Sequence, residues 1–309
     1  MNRECGNVGE HSFLRKRRTR NIELGVRTSV VLQRFDRETG ECVGRSERKL
    51  NTMEAGGIDL FLQLITGDST KHLDATNATI VINSAGGVYT GSNVFLQKGT
   101  DAGPTNGTTT KSAPTAAYVW EFHDISASTR TNQNTLEFWY EDPNAAPGSE
   151  VKISQITVSE GTKPSTENWQ WSVYMELYST DTDFTSSGLQ DLLELIAGDR
   201  SLHMDETDTW FRPFTSSDVG LDSSGQQPDA APSVDTSANT ITLVWTVVDG
   251  DYEGAWDKTE ISLSVSAGTY SGTVDIRYGG CKTNGDGCGT KGAGEEWEYT
   301  YVLTLAQGS

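Results

Sequence analysis

Two His–carboxylate pairs are the first residues in this sequence that could do chemistry: His72 with Asp74, and His203 with Asp205. An imidazole beside a carboxylate can act in acid–base catalysis or help hold a metal. A zinc site, however, needs three or four convergent ligands, and each pair supplies one His with one or two acids. The expectation is therefore structural, with His or Asp bonding the exposed amides and carbonyls at a helix end. Asp249-Gly-Asp-Tyr-Glu253 is an acidic turn with oxygen ligands for calcium but without the spacing of an EF-hand loop, so a solvated turn is expected. Cys281 and Cys288 enclose Lys-Thr-Asn-Gly-Asp-Gly and are not a CxxC metal knuckle; free thiols and a local disulfide both fit the spacing, ahead of metal binding. The sequence contains no P-loop, Rossmann glycine fingerprint, Gly-x-Ser-x-Gly elbow or His-Glu-x-x-His. No catalytic, cofactor or metal residue is assigned, and the chain reads as a non-enzyme.

Binding chemistry is better represented. Leu14-Arg-Lys-Arg-Arg-Thr-Arg20 places five cations, Arg15, Lys16, Arg17, Arg18 and Arg20, in six positions. Like charges so close resist folding alone, so residues 1–24 are expected to form a flexible or partner-ordered basic arm. The run lacks the interleaved aromatics that stack on bases, which ranks an acidic protein surface above nucleic acid as its partner. Eight tryptophans raise a second possibility, because exposed indole faces stack on sugars. Trp120, Trp169, Trp171, Trp245 and Trp297 fall on the inward parity of their strands and read as core. Trp139, Trp210 and Trp256 are left as candidate glycan contacts.

The elements that must position these residues repeat within the chain. Gly57-Ile-Asp-Leu-Phe-Leu-Gln-Leu-Ile-Thr-Gly-Asp68 and Gly188-Leu-Gln-Asp-Leu-Leu-Glu-Leu-Ile-Ala-Gly-Asp199 superpose at an offset of 131, with nine identities in the twenty positions from Gly57 to Thr76. Each copy reads as a short amphipathic helix, with Ile58, Phe61, Leu62 and Ile65, or Leu189, Leu192, Leu193 and Ile196, on one face. Gly67 and Gly198 close the two helices. Period-two alternation predicts strands elsewhere: Tyr118-x-Trp120-x-Phe122 against Leu243-x-Trp245-x-Val247, and Leu136-x-Phe138-x-Tyr140 against Ile261-x-Leu263-x-Val265. Glu167-Asn-Trp-Gln-Trp-Ser-Val-Tyr-Met-Glu-Leu177 likewise resembles Glu295-Glu-Trp-Glu-Tyr-Thr-Tyr-Val-Leu-Thr-Leu305, and a related strand runs from Val26 to Phe35. Loops rich in Gly, Ser, Thr, Pro and Asn, roughly 97–117 and 215–239, occupy equivalent places and are expected to meet partners.

The fold class expected from this pattern is mainly β: two tandem β-sandwich or jelly-roll-like domains, each with one short helix, related by internal duplication. The boundaries are 1–24 for the arm, 25–165 for the first repeat and 166–309 for the second. A chain of 309 residues with 35% hydrophobic composition fits two such cores. The net charge of -19 opposes general binding to nucleic acid outside the arm. No apolar run approaches the length of a membrane span or a signal peptide, so synthesis in a cytoplasm and no membrane association are expected.

At Phe184-Thr-Ser-Ser-Gly-Leu-Gln-Asp-Leu-Leu-Glu-Leu-Ile-Ala-Gly-Asp199 the chain resembles small virion proteins of tailed bacterial and archaeal viruses. There a Thr-Asn-x-Gly-Leu opening leads into a Leu-rich helix ended by Gly. Thr52-Met-Glu-Ala-Gly-Gly-Ile58 is the looser first copy. The resemblance implies a structural role in the virion, as a tail, head–tail connector, head-decoration or fibre-attachment component. Its partners would be copies of itself and other virion proteins. The alternative is a host-surface adhesin or glycan-binding module working through Trp139, Trp210 or Trp256.

Overall fold

Alternating apolar residues generate strands whose one face must be buried, and this chain is built largely from such strands. The computed structural model describes residues 14–67, 73–74, 77–84, 108–112, 115–122, 133–140, 150–161, 163–179, 184, 186–197, 203–214, 225–248, 251–256, 258–263, 274–277 and 289–307. In order, the elements are β1 (Leu14–Asp36), β2 (Cys42–Arg45), β3 (Lys49–Leu50), β4 (Thr52–Met53), α1 (Ala55–Thr66), β5 (Ala78–Ser84), β6 (Thr108–Ser112), β7 (Thr115–Phe122), β8 (Gln133–Tyr140), β9 (Val151–Gly161) and β10 (Glu167–Tyr178). They continue with α2 (Ser186–Ala197), β11 (Thr209–Phe214), β12 (Ser233–Asp235), β13 (Thr240–Val247), β14 (Gly254–Trp256), β15 (Lys258–Leu263), β16 (Val274–Arg277), β17 (Gly289–Lys291) and β18 (Glu295–Gln307). Both helices lie where the apolar spacing puts them. Among the described residues no helix is long and apolar enough to cross a membrane.

The protein is mainly β, and its largest sheet runs β12-β13-β18-β1-β10-β7-β6, with β2 and β3 also joined to β1. Among the described residues three smaller sheets accompany it: β4-β9-β8-β5, β11-β15-β16 and β14-β17. The tryptophan strands of both repeats thus share one sheet. The parity expected of them holds, for Trp169, Trp171, Trp245 and Trp297 are all buried; the Trp120 side chain lies outside the described residues. The buried apolar side chains of both halves form one continuous cluster. Of the loops expected at 97–117 and 215–239, Thr108–Ser112 and Ser233–Asp235 are strands, β6 adding to β7 and β12 to β13.

The first strand is much longer than Val26–Phe35. Its second half, Gly25–Asp36, pairs antiparallel with β10, and its first half, Leu14–Val26, pairs parallel with β18. Gly25 stands opposite both Tyr178 and Ala306. About this residue the two flanks are related by half a turn. Lys16 faces Trp297 as Arg34 faces Trp169, Arg18 faces Tyr299 as Leu32 faces Trp171, and Arg20 faces Tyr301 as Val30 faces Val173. A Cβ on Gly25 would come within 2.3 Å of the Tyr178 ring, so a larger residue at the crossing point must displace that ring.

The helices obey the same relation. The last carbonyls of a helix have no partner within it; here each helix receives one from the other repeat. The Leu73 amide donates to the Ile196 carbonyl at 2.9 Å, and the Met204 amide donates to the Ile65 carbonyl at 2.8 Å. Leu73 and Met204 are equivalent at the offset of 131 and both are buried. Gly67, at φ 73°, donates its amide to Gln63 and ends α1 in the left-handed conformation expected of it.

Candidate functional site: the basic strand

The basic run has a partner within its own chain, because Leu14–Arg20 is the opening of β1 against β18. Strand alternation sends Lys16, Arg18 and Arg20 to the face that carries Ile22, Leu24 and Val26 further along, and Arg17 to the opposite face. Lys16 Nζ donates to Glu295 Oε1 at 2.5 Å and lies 5.7 Å from the centre of the Trp297 ring. The Arg18 guanidinium is 5.3 Å from the same ring. Long cationic side chains can cover aromatic surface with their stems while the charge stays wet, and the negative ring face favours the cation above it. Arg17 pairs with Glu298 at 3.2 Å yet leaves 76% of its side chain exposed. Only the main chain of Arg15 is described.

Beneath these cations is an aromatic wall. Trp297, Tyr299 and Tyr301 of β18, Trp245 of β13, Phe211 of β11 and Trp256 of β14 are buried together, with centroid separations from 4.8 Å for Trp256–Trp297 to 6.3 Å for Phe211–Tyr301. Thr259 of β15 bonds the hydroxyls of Tyr299 and Tyr301. Burial pushes the Tyr299 hydroxyl up from its ordinary value, against the downward pull of those hydroxyl bonds and of the Arg20 and Arg18 charges.

Glu295 joins strand, wall and turn. It accepts Lys16, the Trp297 indole N–H at 2.9 Å and the Gly292 amide at 3.1 Å. In that order these bonds hold its carboxyl down at about 2. The indole–carboxylate frame recurs on β10, where Trp169 donates its indole N–H to Glu167 at 2.7 Å and Arg34 stands opposite Trp169 as Lys16 stands opposite Trp297. A buried lysine precedes each glutamate by four positions: Lys291 donates to the Val248 carbonyl at 2.8 Å, and Lys163 to Pro164 at 3.4 Å. Sequence reasoning passed over these two lysines. Extending the Glu167/Glu295 match four residues upstream, at its offset of 128, finds them.

On the other face a second charge cluster fastens β1 to β10. Arg27 and Arg48 bond Glu176 at 2.6 and 2.7 Å, and Arg48 also bonds Ser29 at 2.6 Å. Burial raises the Glu176 carboxyl, and the two arginines outweigh it, leaving the group below its ordinary value.

The other sequence candidates are not brought to this strand, with one exception. Trp256, expected to be exposed, is buried at 1%. Its indole donates to the Tyr252 carbonyl at 2.7 Å and its ring meets Trp297, because Tyr252 turns the chain inward at a φ of 49°. Trp139, whose indole donates to Glu137 at 3.1 Å, and Trp210 are half-buried on β8 and β11. His72 lies outside the described residues. His203 packs its ring so closely on Gly67 that a Cβ there would meet it at 2.4 Å, and its amide donates to Asp208 at 3.2 Å. Asp74 and Asp205 order turns: Asp74 accepts the Asn77 amide at 3.0 Å, and Asp205 accepts the Thr207 and Asp208 amides at 2.8 and 2.7 Å. Among the described residues no three His, Cys, Asp or Glu side chains converge as metal ligands would. Asp249, Cys281 and Cys288 are outside the described residues; Asp251 and Glu253 are exposed, and Cys42 is an exposed free thiol.

Against known proteins, the chain matches no family model, no curated protein sequence and no solved structure.

Proposed function

We propose that this chain is a non-enzymatic structural protein of a tailed-virus particle, made in the host cytoplasm and acting by self-association and by docking on other virion proteins. In this reading it consists of two β-sandwich or jelly-roll-like units related by internal duplication. The observation that carries the proposal is the reciprocal capping of α1 and α2, in which Leu73 bonds Ile196 and Met204 bonds Ile65. These are the two copies of the helix motif that resembles virion proteins, and they meet about a local two-fold. A duplicated chain arranged in this way is a covalent version of a symmetric dimer, a form suited to neighbours on a symmetric particle. The basic strand on an otherwise acidic chain supplies a charged docking element.

The test is light scattering and negative-stain electron microscopy of the full-length chain, alone and mixed with purified tailed particles. Discrete symmetric oligomers, or saturable attachment to the particles, are expected. A monomer that ignores the particles overturns the proposal. If that monomer also binds host-surface glycan, and Trp139→Ala or Trp210→Ala abolishes binding, the molecule is an adhesin.

A further inference from the structure

The two halves of β1 differ at their outer edges. The second half is paired on both sides, with β10 along one edge and, where β18 stops at Gln307 opposite Val26, with β3 and β2 continuing the line of β18 along the other. The first half is paired on one side only: β18 holds Leu14–Leu24, and among the described residues no strand continues the line of β10 past Tyr178 along the opposite edge. The half-turn about Gly25 makes that open edge the counterpart of the one β2 and β3 fill. The cause lies in the connections. Residues 37–54 separate β1 from α1 and include β2 and β3, whereas only residues 179–185 separate β10 from α2.

The direction of the main-chain groups can be worked out. Asn51 donates its amide to the Thr28 carbonyl and Ser46 donates to the Leu32 carbonyl, each at 2.8 Å, so even-numbered residues turn their main-chain groups to the β18 side. Successive residues along a strand turn theirs to opposite edges. Arg17, Thr19, Asn21 and Glu23 therefore aim amides and carbonyls along the open edge, with Arg17, Thr19 and Asn21 exposed.

We propose that this edge is a docking site for an extended acidic segment of a partner protein, added to the large sheet as a further strand in line with β10. Unpaired edge groups are a template for another strand, and strand addition is a general mode of peptide recognition. Eleven residues of edge span roughly 35 Å. Charge selects the occupant. Cations project to both faces of the strand, Arg17 to one, where it pairs with Glu298, and Lys16, Arg18 and Arg20 to the other, where Lys16 pairs with Glu295, so an added strand meets positive charge chiefly on the Arg18 and Arg20 face. A second copy pairing edge to edge would set these cations against their own kind, which disfavours it. A nucleic-acid backbone would answer the charge and leave the strand's amides and carbonyls unmatched. The inference deepens the assembly reading by naming the form of the docking partner, and the edge can be tested without any virus.

The probe is a fluorescent peptide of about ten residues, rich in Glu and Thr and free of Pro, titrated against the full chain at low and high salt. The peptide is expected to bind at least about tenfold tighter than its Lys/Thr counterpart, with an affinity that falls as salt rises. Thr19→Pro removes one amide from the open edge without touching the β18 ladder and is expected to weaken binding roughly tenfold, the scale of one or two main-chain hydrogen bonds. Should that variant fail to fold, Arg17→Gln replaces it, with weaker binding and a shallower salt dependence expected. Three results overturn the proposal: equal binding of both peptides, tighter binding of a DNA oligonucleotide of matched charge, or a homodimer of the wild type that Thr19→Pro dissociates. Light scattering of the wild type alone reports on the particle reading, so each idea can fail without the other.

Discussion

The two halves of β1 are one strand held by different physics. From Thr28 to Leu32 the inward residues are buried, and Thr28 bonds Ser154 of β9 at 2.8 Å. At the mirrored places before Gly25, Ile22 is buried as Thr28 is, and the next two inward positions carry Arg20 and Arg18 over an aromatic wall formed by β18, β13, β11 and β14. The second half is thus part of the core from Thr28 to Leu32, while the first half joins the core at Ile22 and Leu24 and, from Lys16 to Arg20, is laid over aromatic residues of other strands. A sheet can extend itself with a strand that contributes charge and main-chain bonds in place of apolar volume, and such a strand is the natural place for exchange with the surroundings.

The sharpest way to break this contrast is to truncate mirrored positions. Leu32→Ala should cost about 2–5 kcal/mol, the range for emptying a buried leucine site, whereas Arg18→Ala should cost under about 1 kcal/mol, the scale of a surface cation–π contact. Urea unfolding of the two variants measures both, and similar losses would mean that the halves are equivalent. A somewhat smaller effect is expected at the joint. Gly25→Ala drives a methyl into the Tyr178 ring and should cost about 1–3 kcal/mol. Adding Tyr178→Ala should cost less than the two single losses together, because the second change removes the clash.

The smallest effect separates the halves by acid. Glu295, which holds Lys16, has a folded-state value near 2 against 4.5 for a free glutamate. A depressed folded value means that the contribution is fully present above about pH 4.5 and is lost as pH falls toward 2. Hydrogen exchange across that window should show residues 14–20 losing protection before 27–36, which keep their apolar burial. Simultaneous loss would place the hold on the first half elsewhere than in Glu295.

Local periodicity made much of this molecule legible. The i, i+3, i+4, i+7 apolar spacing located α1 and α2, and strict alternation gave the inward parity of Trp169, Trp171, Trp245 and Trp297. What it could not give was pairing between residues far apart in sequence. Lys16, Arg18 and Arg20 alternate like a strand, yet as charges they read as a solvated run, because nothing local reveals the aromatic surface awaiting them 281 residues later at Trp297, Tyr299 and Tyr301. Trp256 was misjudged for a related reason: its ring packs against Trp297, 41 residues later, and its indole bonds the carbonyl of Tyr252, whose positive φ a tyrosine does not advertise. Lys163 and Lys291 were legible and went unread, since a lysine before a turn looks like solvent-facing charge until its equivalent is seen at the same place in the other repeat.

The reciprocal bonds between the repeats also govern the order in which the chain can fold as it leaves the ribosome. The end of α1 cannot be completed until Met204 has emerged, and the opening of β1 stays without its parallel neighbour until β18 is made. Contacts of such long sequence separation slow folding. They leave the nascent protein with a cationic segment waiting for aromatic partners that are made 281 residues later.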